Sequence, residues 1–320
     1  MQISEVKENA IIAQHYKNLL RNSYQSLTNE DKKLIRLAFD TAVDAHKDQR
    51  RKSGEPYIMH PIAVAQIVAD QIGLGVTSIA AALLHDVVED TAMTLDDIAL
   101  MFGDTVAKIV DGLTKISKLS KDKRDSIQAE NFKKMLLTMN EDVRVILIKI
   151  ADRLHNMMTL TAMPEEKQVR IASETLYIYA PLAHRIGMFN IKTQLEDLAL
   201  KYTEPEVYND IDIKIKDSEE ERQTYIKNFT KQLQKHLIKE RINFKTEGRF
   251  RSIFSIRRKM QIKNRKFDKV FDRFTVRILY KYTPKQEKSV AWTLYSIDTE
   301  HFQPNTMQLR DWITSHTTTA

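Results

Sequence analysis

The chain has 320 residues, 42% of them hydrophobic, which is enough for two domains with cores of their own. It carries a formal net charge of +7 and no cysteine, so disulfides and thiolate metal sites are excluded. No apolar run approaches about 18 uncharged residues and the opening MQISEVKENA is polar; neither a transmembrane helix nor a signal peptide is expected, and the cytoplasm is the expected compartment.

Seven glycines and seven prolines are few for a strand-and-turn protein and point to long helices. From about residue 31 to 202 apolar residues recur at three- and four-residue spacing, in KKLIRLAFDTAVDAH (32–46), PIAVAQIVADQI (61–72), LDDIALMFGDTVAKIVDGL (95–113) and ENFKKMLLTM (130–139). Neither GxGxxG nor GxxxxGK[ST] occurs, so no Rossmann or Walker phosphate cradle is encoded. An all-α domain over residues 1–202 is expected, followed by a charged helical connector over 203–244, opened by Pro205.

Within this domain, RRKSGEPYIMHP (50–61) reads as a loop, marked by Gly54 and Pro56, that delivers His60 to the mouth of the helix begun by Pro61. Next comes ALLHDVVEDT (82–91), where His85, Asp86, Glu89 and Asp90 interrupt an apolar stretch. If this segment is one helix, His85 lies beside Glu89 and Asp86 beside Asp90. Unpaired buried carboxylates cost several kcal/mol, so such a cluster needs a compensating ion, hydrogen bonds or water. The third piece is Asp152, on VRVILIKIADRLHNMMTL (143–160), whose first half (Val143, Val145, Ile146, Leu147, Ile148 and Ile150) predicts a largely buried helix; Asn156 follows one turn on. Together His60, His85, Asp86 and Asp152 make a mixed imidazole and carboxylate set, suited to manganese, iron or zinc with open positions, and hence to metal-assisted hydrolysis. Each part also has a bland reading: a helix-start histidine for His60, a solvated helix end for Glu89 and Asp90, a solvated loop for Arg51 and Lys52.

The segments RRKSGEPYIMHP, ALLHDVVEDT, IADRLHNMMTL and YAPLAHRIGMFNIKTQLEDLALKY resemble the hydrolase half of the Rel/Spo alarmone synthetase/hydrolases, a branch of the HD metal-dependent phosphohydrolases. The resemblance implies an Mn²⁺-dependent enzyme that removes pyrophosphate from the 3′ position of guanosine tetra- and pentaphosphate to return GDP or GTP. By the same resemblance His60, His85, Asp86 and Asp152 match metal ligands, and Glu89 with Asp90 the acidic pair at the attacking water. Arg51, Lys52 and Ser53 match the loop beside the guanine, and Asn156 with Thr159 the residues holding the nucleotide. One departure is Met158, where the family usually has Arg; a weaker phosphate contact or salt bridge would follow.

Beyond the connector, Lys245 to Arg273 holds eleven Lys or Arg against Glu247, Asp268 and Asp272, which concentrates the positive excess of the chain in one stretch. Such a stretch holds phosphates, binds nucleic acid or forms a solvated helix face. FTVRILY (274–280) then reads as a strand and VAWTLYSIDTEHF (290–302) as a helix. GRFRSIFSIRRKM and FDRFTVRI resemble the start of the family's synthetase domain, an α+β nucleotidyltransferase-like fold. Arg249, Arg251 and Lys259 would match residues on the ATP phosphates and Asp272 the magnesium ligand, although Arg251 stands where the family commonly has Lys. The NGY loop and the later catalytic Glu of the family are absent from this sequence. Residues 245–320 are therefore expected to be an incomplete synthetase domain without activity and with no functional Mg²⁺ site. Two other expectations stay open: an HD phosphohydrolase of other nucleotides, and a weakly catalytic alarmone-binding or regulatory module. The family's C-terminal ribosome-sensing modules are not in the sequence, so direct ribosome or RNA binding is not expected.

Overall fold

The structure, a computed structural model, describes residues 5–23, 27–120, 142–239, 243–270, 274–281, 283, 286–304 and 309–311. The expected helix over 130–139 and Asp272 lie outside the described residues. The chain divides into two compact units, Met1–Glu204 and Pro205–Ala320. It is mainly helical, and the two strands of the described residues form one small sheet.

The first unit contains α1 (Glu5–Arg21), α2 (Asn29–Ala45), α3 (Met59–Gln66), α4 (Val76–Leu83), α5 (Val87–Asp90), α6 (Leu95–Phe102), α7 (Asp104–Ser120), α8 (Val143–Met158), α9 (Glu165–Glu174), α10 (Ala180–Arg185) and α11 (Phe189–Thr203). Their starts follow local chemistry. Thr28 with Asp31 and Thr94 with Asp97 form capping boxes at α2 and α6, and the Asp142 carboxylate accepts the Arg144 amide at α8. The single periodic pattern over 95–113 is two helices, because Gly103 at φ 83° reverses the chain between α6 and α7. The pattern over 61–72 likewise changes at residue 67 into a π-helical turn, Ile67–Ile72. A second such turn, Thr175–Tyr179, joins α9 to α10.

The apolar stripes of these helices meet in one continuous core. It takes Ile35 and Phe39 from α2, Ile62 and Val64 from α3, Ile79 to Leu83 from α4, Ile109 and Leu113 from α7, and Ile146, Ile148 and Ile150 from α8. Burying each such side chain stabilises the fold by about 1.5–3 kcal/mol before entropy is charged against it. Val143 does not take part: it sits at the exposed first position of α8, where that helix has not yet reached the core. The α7 and α8 backbones approach closely at Gly112, where an added Cβ would lie 2.8 Å from Val145 Cγ2.

The second unit begins with α12 (Pro205–Asp217) and α13 (Glu219–Lys239), and continues with β1 (Phe244–Phe250), α14 (Ile253–Ile262), β2 (Phe274–Tyr280) and α15 (Glu287–His301). The strands are antiparallel, from Phe244 opposite Tyr280 to Phe250 opposite Phe274. Period-two alternation places Phe244, Val276, Ile278 and Tyr280 on the face that packs against Leu233, Leu237 and Leu294 of α13 and α15. A separate cluster joins Ile211 of α12, Ile256 of α14 and Phe267. The segment read as a connector thus supplies core residues to the second unit. β1 was not foreseen, because KTEGR in its centre is polar and offers no hydrophobic alternation; its partner β2 decides it.

Candidate metal centre and its cavity

The HD pair does not ride on one continuous helix. α4 ends at Leu83, residues 84–86 form a turn, and α5 begins at Val87, so His85 lies in a corner, while Asp86 and Asp90 stay one turn apart, with the Asp90 amide donating to the Asp86 carbonyl at 2.9 Å. The break has a chemical consequence. His85 Nδ1 lies 2.8 Å from the carbonyl of Ala82, a bond in which Nδ1–H donates and Nε2 is left facing inward.

Three further elements bring their side chains to this corner. His60, in the first turn of α3, has Nε2 at 3.2 Å from Asp152 Oδ1 and 3.6 Å from Asp86 Oδ2. Asp152 comes from the buried face of α8, and Asp86 Oδ2 lies 3.1 Å from His85 Nε2. His60, His85 and Asp152 are all buried and offer ligand atoms within 4.8 Å of one another. His85 Nε2 is buried and meets no hydrogen-bond geometry, although Asp86 is near. An inward imidazole nitrogen among carboxylates fits a divalent cation, and the imidazole and carboxylate donors suit Mn²⁺, Fe²⁺ or Zn²⁺ alike.

Further side chains hold the carboxylates. Lys149 Nζ reaches Asp152 Oδ2 at 2.7 Å and Ser117 Oγ at 3.0 Å, while Asn156 Nδ2 donates to Asp152 Oδ1 at 2.6 Å. The Tyr57 hydroxyl lies 2.8 Å from Asp86 Oδ2 and 3.2 Å from Asp90 Oδ2. His60 Nδ1 lies 2.8 Å from His155 Nδ1.

These contacts set the charges. Burial alone would raise the Asp152 carboxyl, but the Lys149 ammonium and the His60 hydrogen bond hold it well below the usual range. Asp86 is likewise favoured by burial to stay protonated, and His85 overrides this and keeps it ionised. Burial pushes the His85 imidazole down, while the charge of the adjacent Asp86 carboxylate carries it up to about 9. Desolvation, the neighbouring His60 and the Arg51 charge depress His155 to about 3.

The cluster opens on a cavity of about 550 Å³, whose lining includes His60, Asp86, Glu89, Asp90 and Asp152 together with Arg50, Arg51, Lys52, Ser53, Asn156 and Thr159. The loop carrying Arg51 to Ser53 is held by an Arg50–Pro56 bridge, by Gly54 at φ 89° and by two contacts from Arg50 to Glu8, each 3.0 Å. Arg51 is not a solvated loop charge: its NH2 group donates to Asn156 Oδ1 and to Thr159 Oγ1, both at 3.1 Å. Met158 is 45% exposed and is not among the residues that line the cavity, although its neighbour Thr159 is.

Sequence reasoning missed several members. Lys149 carries the signal of a lone charge in the apolar run VRVILIKIAD, three residues before Asp152. Tyr57 and His155 are each one helical turn or less from a named residue but had no pattern of their own. Arg153 lines the cavity, pairs with Glu174 at 3.1 Å and lies 4.1 Å over the Tyr179 ring, which the π-helical turn presents. The synthetase-like positions lie in the second unit: Arg249 is exposed on β1 opposite Thr275, Arg251 follows β1 and Lys259 lies on α14.

Residues 38–189 match the model of the HD domain, which covers all four candidate ligands, α3 to α8 and the cavity. A Vibrio cholerae protein named guanosine-3′,5′-bis(diphosphate) 3′-pyrophosphohydrolase is 44% identical over 253 residues, which are 79% of this chain and 36% of the relative. The bifunctional (p)ppGpp synthase/hydrolase SpoT of Escherichia coli K12 is 43% identical over 81% of this chain and 37% of the relative. This chain is similar to Rel/SpoT proteins and carries a segment that matches the HD domain. A Myxococcus xanthus protein named GTP pyrophosphokinase is also similar, at 42% identity over 79% of this chain and 34% of the relative. The chain spans about a third of the length of these curated relatives. No helix among the described residues is long and apolar enough to cross a membrane.

Proposed function

We propose that the first unit hydrolyses the 3′-pyrophosphate of guanosine tetra- and pentaphosphate, giving GDP or GTP and pyrophosphate, with Mn²⁺ held by His60, His85, Asp86 and Asp152. The observation that carries this reading is a cavity at which the buried His60, His85 and Asp152 cluster, the half-buried Asp86 beside it, an acidic pair and a cationic loop converge. The names of the similar proteins supply the substrate class.

A pyrophosphate ester and hydroxide repel each other as anions. A divalent cation at the cluster supplies polarisation of a phosphoryl oxygen and a lowered pKa for water. Glu89 and Asp90 lie on α5, beside the cluster, and either carboxylate takes the proton of the attacking water. Arg51 and Lys52 supply positive charge for the phosphates, and the planar Arg51 guanidinium stacks on the base. Asn156 and Thr159 hold the nucleotide from α8, giving up their contacts with Arg51 as it enters.

Pyrophosphate release from guanosine tetraphosphate, measured with Mn²⁺, with EDTA and in an Asp86→Ala variant, tests the proposal. Turnover that needs both metal and Asp86 supports it; a folded, metal-loaded chain without turnover overturns it. Faster release of phosphate from dGTP than of pyrophosphate from guanosine tetraphosphate moves the assignment to a general nucleotide phosphohydrolase. Pyrophosphate transfer from ATP to GDP or GTP is not expected of these 320 residues.

A further inference from the structure

The two histidines of the cluster are oriented in different ways. His85 Nδ1 faces a backbone carbonyl, an acceptor that cannot change roles. His60 Nδ1 faces another imidazole, His155 Nδ1, at 2.8 Å. At that separation the two nitrogens share one proton: one ring donates N–H and the other accepts with its lone pair. Heavy-atom positions alone allow either direction, so the proton must be placed by chemistry.

The inward nitrogen decides it. His60 Nε2 faces Asp152 Oδ1 at 3.2 Å and Asp86 Oδ2 at 3.6 Å, where the proposed cation would sit. To offer a lone pair there, a neutral His60 must carry its proton on Nδ1, and only an acceptor at His155 Nδ1 satisfies that N–H. We infer that His155 is a positioning residue of the metal centre, accepting the His60 Nδ1 proton and so fixing the tautomer and ring plane in which His60 Nε2 binds the ion. Its own proton then lies on Nε2. The ring geometry agrees: the two imidazole centroids are 5.0 Å apart and tilted by 37°, an edge-to-edge approach rather than a stack. His155 sits one turn after Asp152 on α8, so the helix that carries one ligand also orients a second, from α3.

With the ion absent, the opposite arrangement satisfies the same atoms: His60 Nε2–H donates to Asp152 Oδ1, and His155 Nδ1–H donates to His60 Nδ1. Passage between the two moves one proton within each ring and changes the charge of neither. A carboxylate in the place of His155 would hold only the first arrangement, because it has no proton to return.

This inference rests on the metal reading above, and the test separates the two. Mn²⁺ binding is measured by titration calorimetry or by the free-ion electron paramagnetic resonance signal, for the wild-type chain, His155→Asn and His155→Phe. Asn keeps an acceptor near the Nδ1 position and Phe keeps only the ring. His155→Phe is expected to bind Mn²⁺ 10–100-fold more weakly, and His155→Asn within about threefold of wild type on the same scale. ¹⁵N spectra of the wild-type chain loaded with diamagnetic Zn²⁺ are expected to show His60 protonated at Nδ1, with scalar coupling across the N–H···N bond to His155. Wild-type affinity in a folded His155→Phe, equal damage in both variants, or a loaded protein with the proton on His155 Nδ1 would each overturn it. A wild-type chain that binds neither ion overturns the metal reading and this inference together; binding by wild type and variants alike overturns only this one. The spectra and the Asn variant decide the matter if the Phe variant does not fold.

Discussion

The two units of this chain use their charges in opposite ways. In Met1–Glu204 one continuous core surrounds His60, His85, Asp152 and Lys149, each paired inside it. Among the described residues of Pro205–Ala320 two small clusters, each with three buried apolar residues, form the core, and exposed Arg249 and Arg258 are typical of its basic stretch. A large core can bear the desolvation cost of a buried ionic cluster because its apolar surplus is large; a small one cannot. Chemistry is therefore expected where the burial is deepest, and the densest positive charge of the sequence does not mark it.

The strongest way to break this comparison is to remove the buried charges. Asp152→Ala should abolish metal-dependent turnover and also lower stability by about 3–5 kcal/mol, since it leaves Lys149 buried without a counter-ion. Denaturant unfolding of the metal-free chain reads the second effect apart from the first. An Arg258→Ala change in the basic stretch should leave both unchanged.

Next in size is Tyr57→Phe, which removes the donor shared by Asp86 and Asp90 and should weaken Mn²⁺ binding about tenfold with little loss of stability. An unchanged affinity would show that Asp86 is oriented without Tyr57.

A pH series sharpens the electrostatic side. Because His85 titrates near 9 in the metal-free protein, an ion entering at neutral pH displaces its proton. Mn²⁺ affinity should then rise about tenfold per pH unit between 7 and 9 and level off above that. Stability of the metal-free chain should move the other way. A group whose folded pKa is raised stabilises below its unfolded value near 6.5 and loses that contribution as pH climbs through 9, so the melting temperature falls over the same window.

The smallest effect compares two glycines at close approaches. A Cβ at Gly112 would lie 2.8 Å from Val145 Cγ2, on a stiff, β-branched and buried side chain, whereas at Gly248 it would lie 2.5 Å from Cγ2 of the half-buried Ile226. Gly112→Ala should cost about 1–2 kcal/mol despite the better helix propensity of Ala. Gly248→Ala should cost less, because Ile226, although β-branched like Val145, is half-buried and has fewer neighbours to resist its displacement. Thermal melts of both variants check the order, and a larger loss at Gly248 would show that the second unit packs as rigidly as the first.

The candidate site was legible in outline because its residues are costly to bury. His85-Asp86, with Asp152 in an apolar run, stands out against its surroundings, and the helical periodicity of α2, α3 and α8 placed the core around it. What failed were statements that depend on where a periodic pattern stops. The 95–113 pattern is broken by Gly103, and the HD pair lies at a corner between α4 and α5. Strand β1 could not be read because polar KTEGR becomes a strand only through pairing with β2.

By itself the sequence determined the helical class, the absence of thiolate chemistry, and which histidines and aspartates are the candidate ligands, since these follow from composition, spacing and the cost of desolvating charge. Only the tertiary structure decided that Lys149, Tyr57, Asn156 and His155 stand behind those ligands, and that Arg51 spans to Asn156 and Thr159 while Met158 stays out of the cavity lining. Lys149 and Asn156 share a face of α8 with Asp152, but Tyr57 and His155 reach ligands carried by other elements. Hydrogen bonds depend on distance and direction in space, which spacing along the chain does not specify.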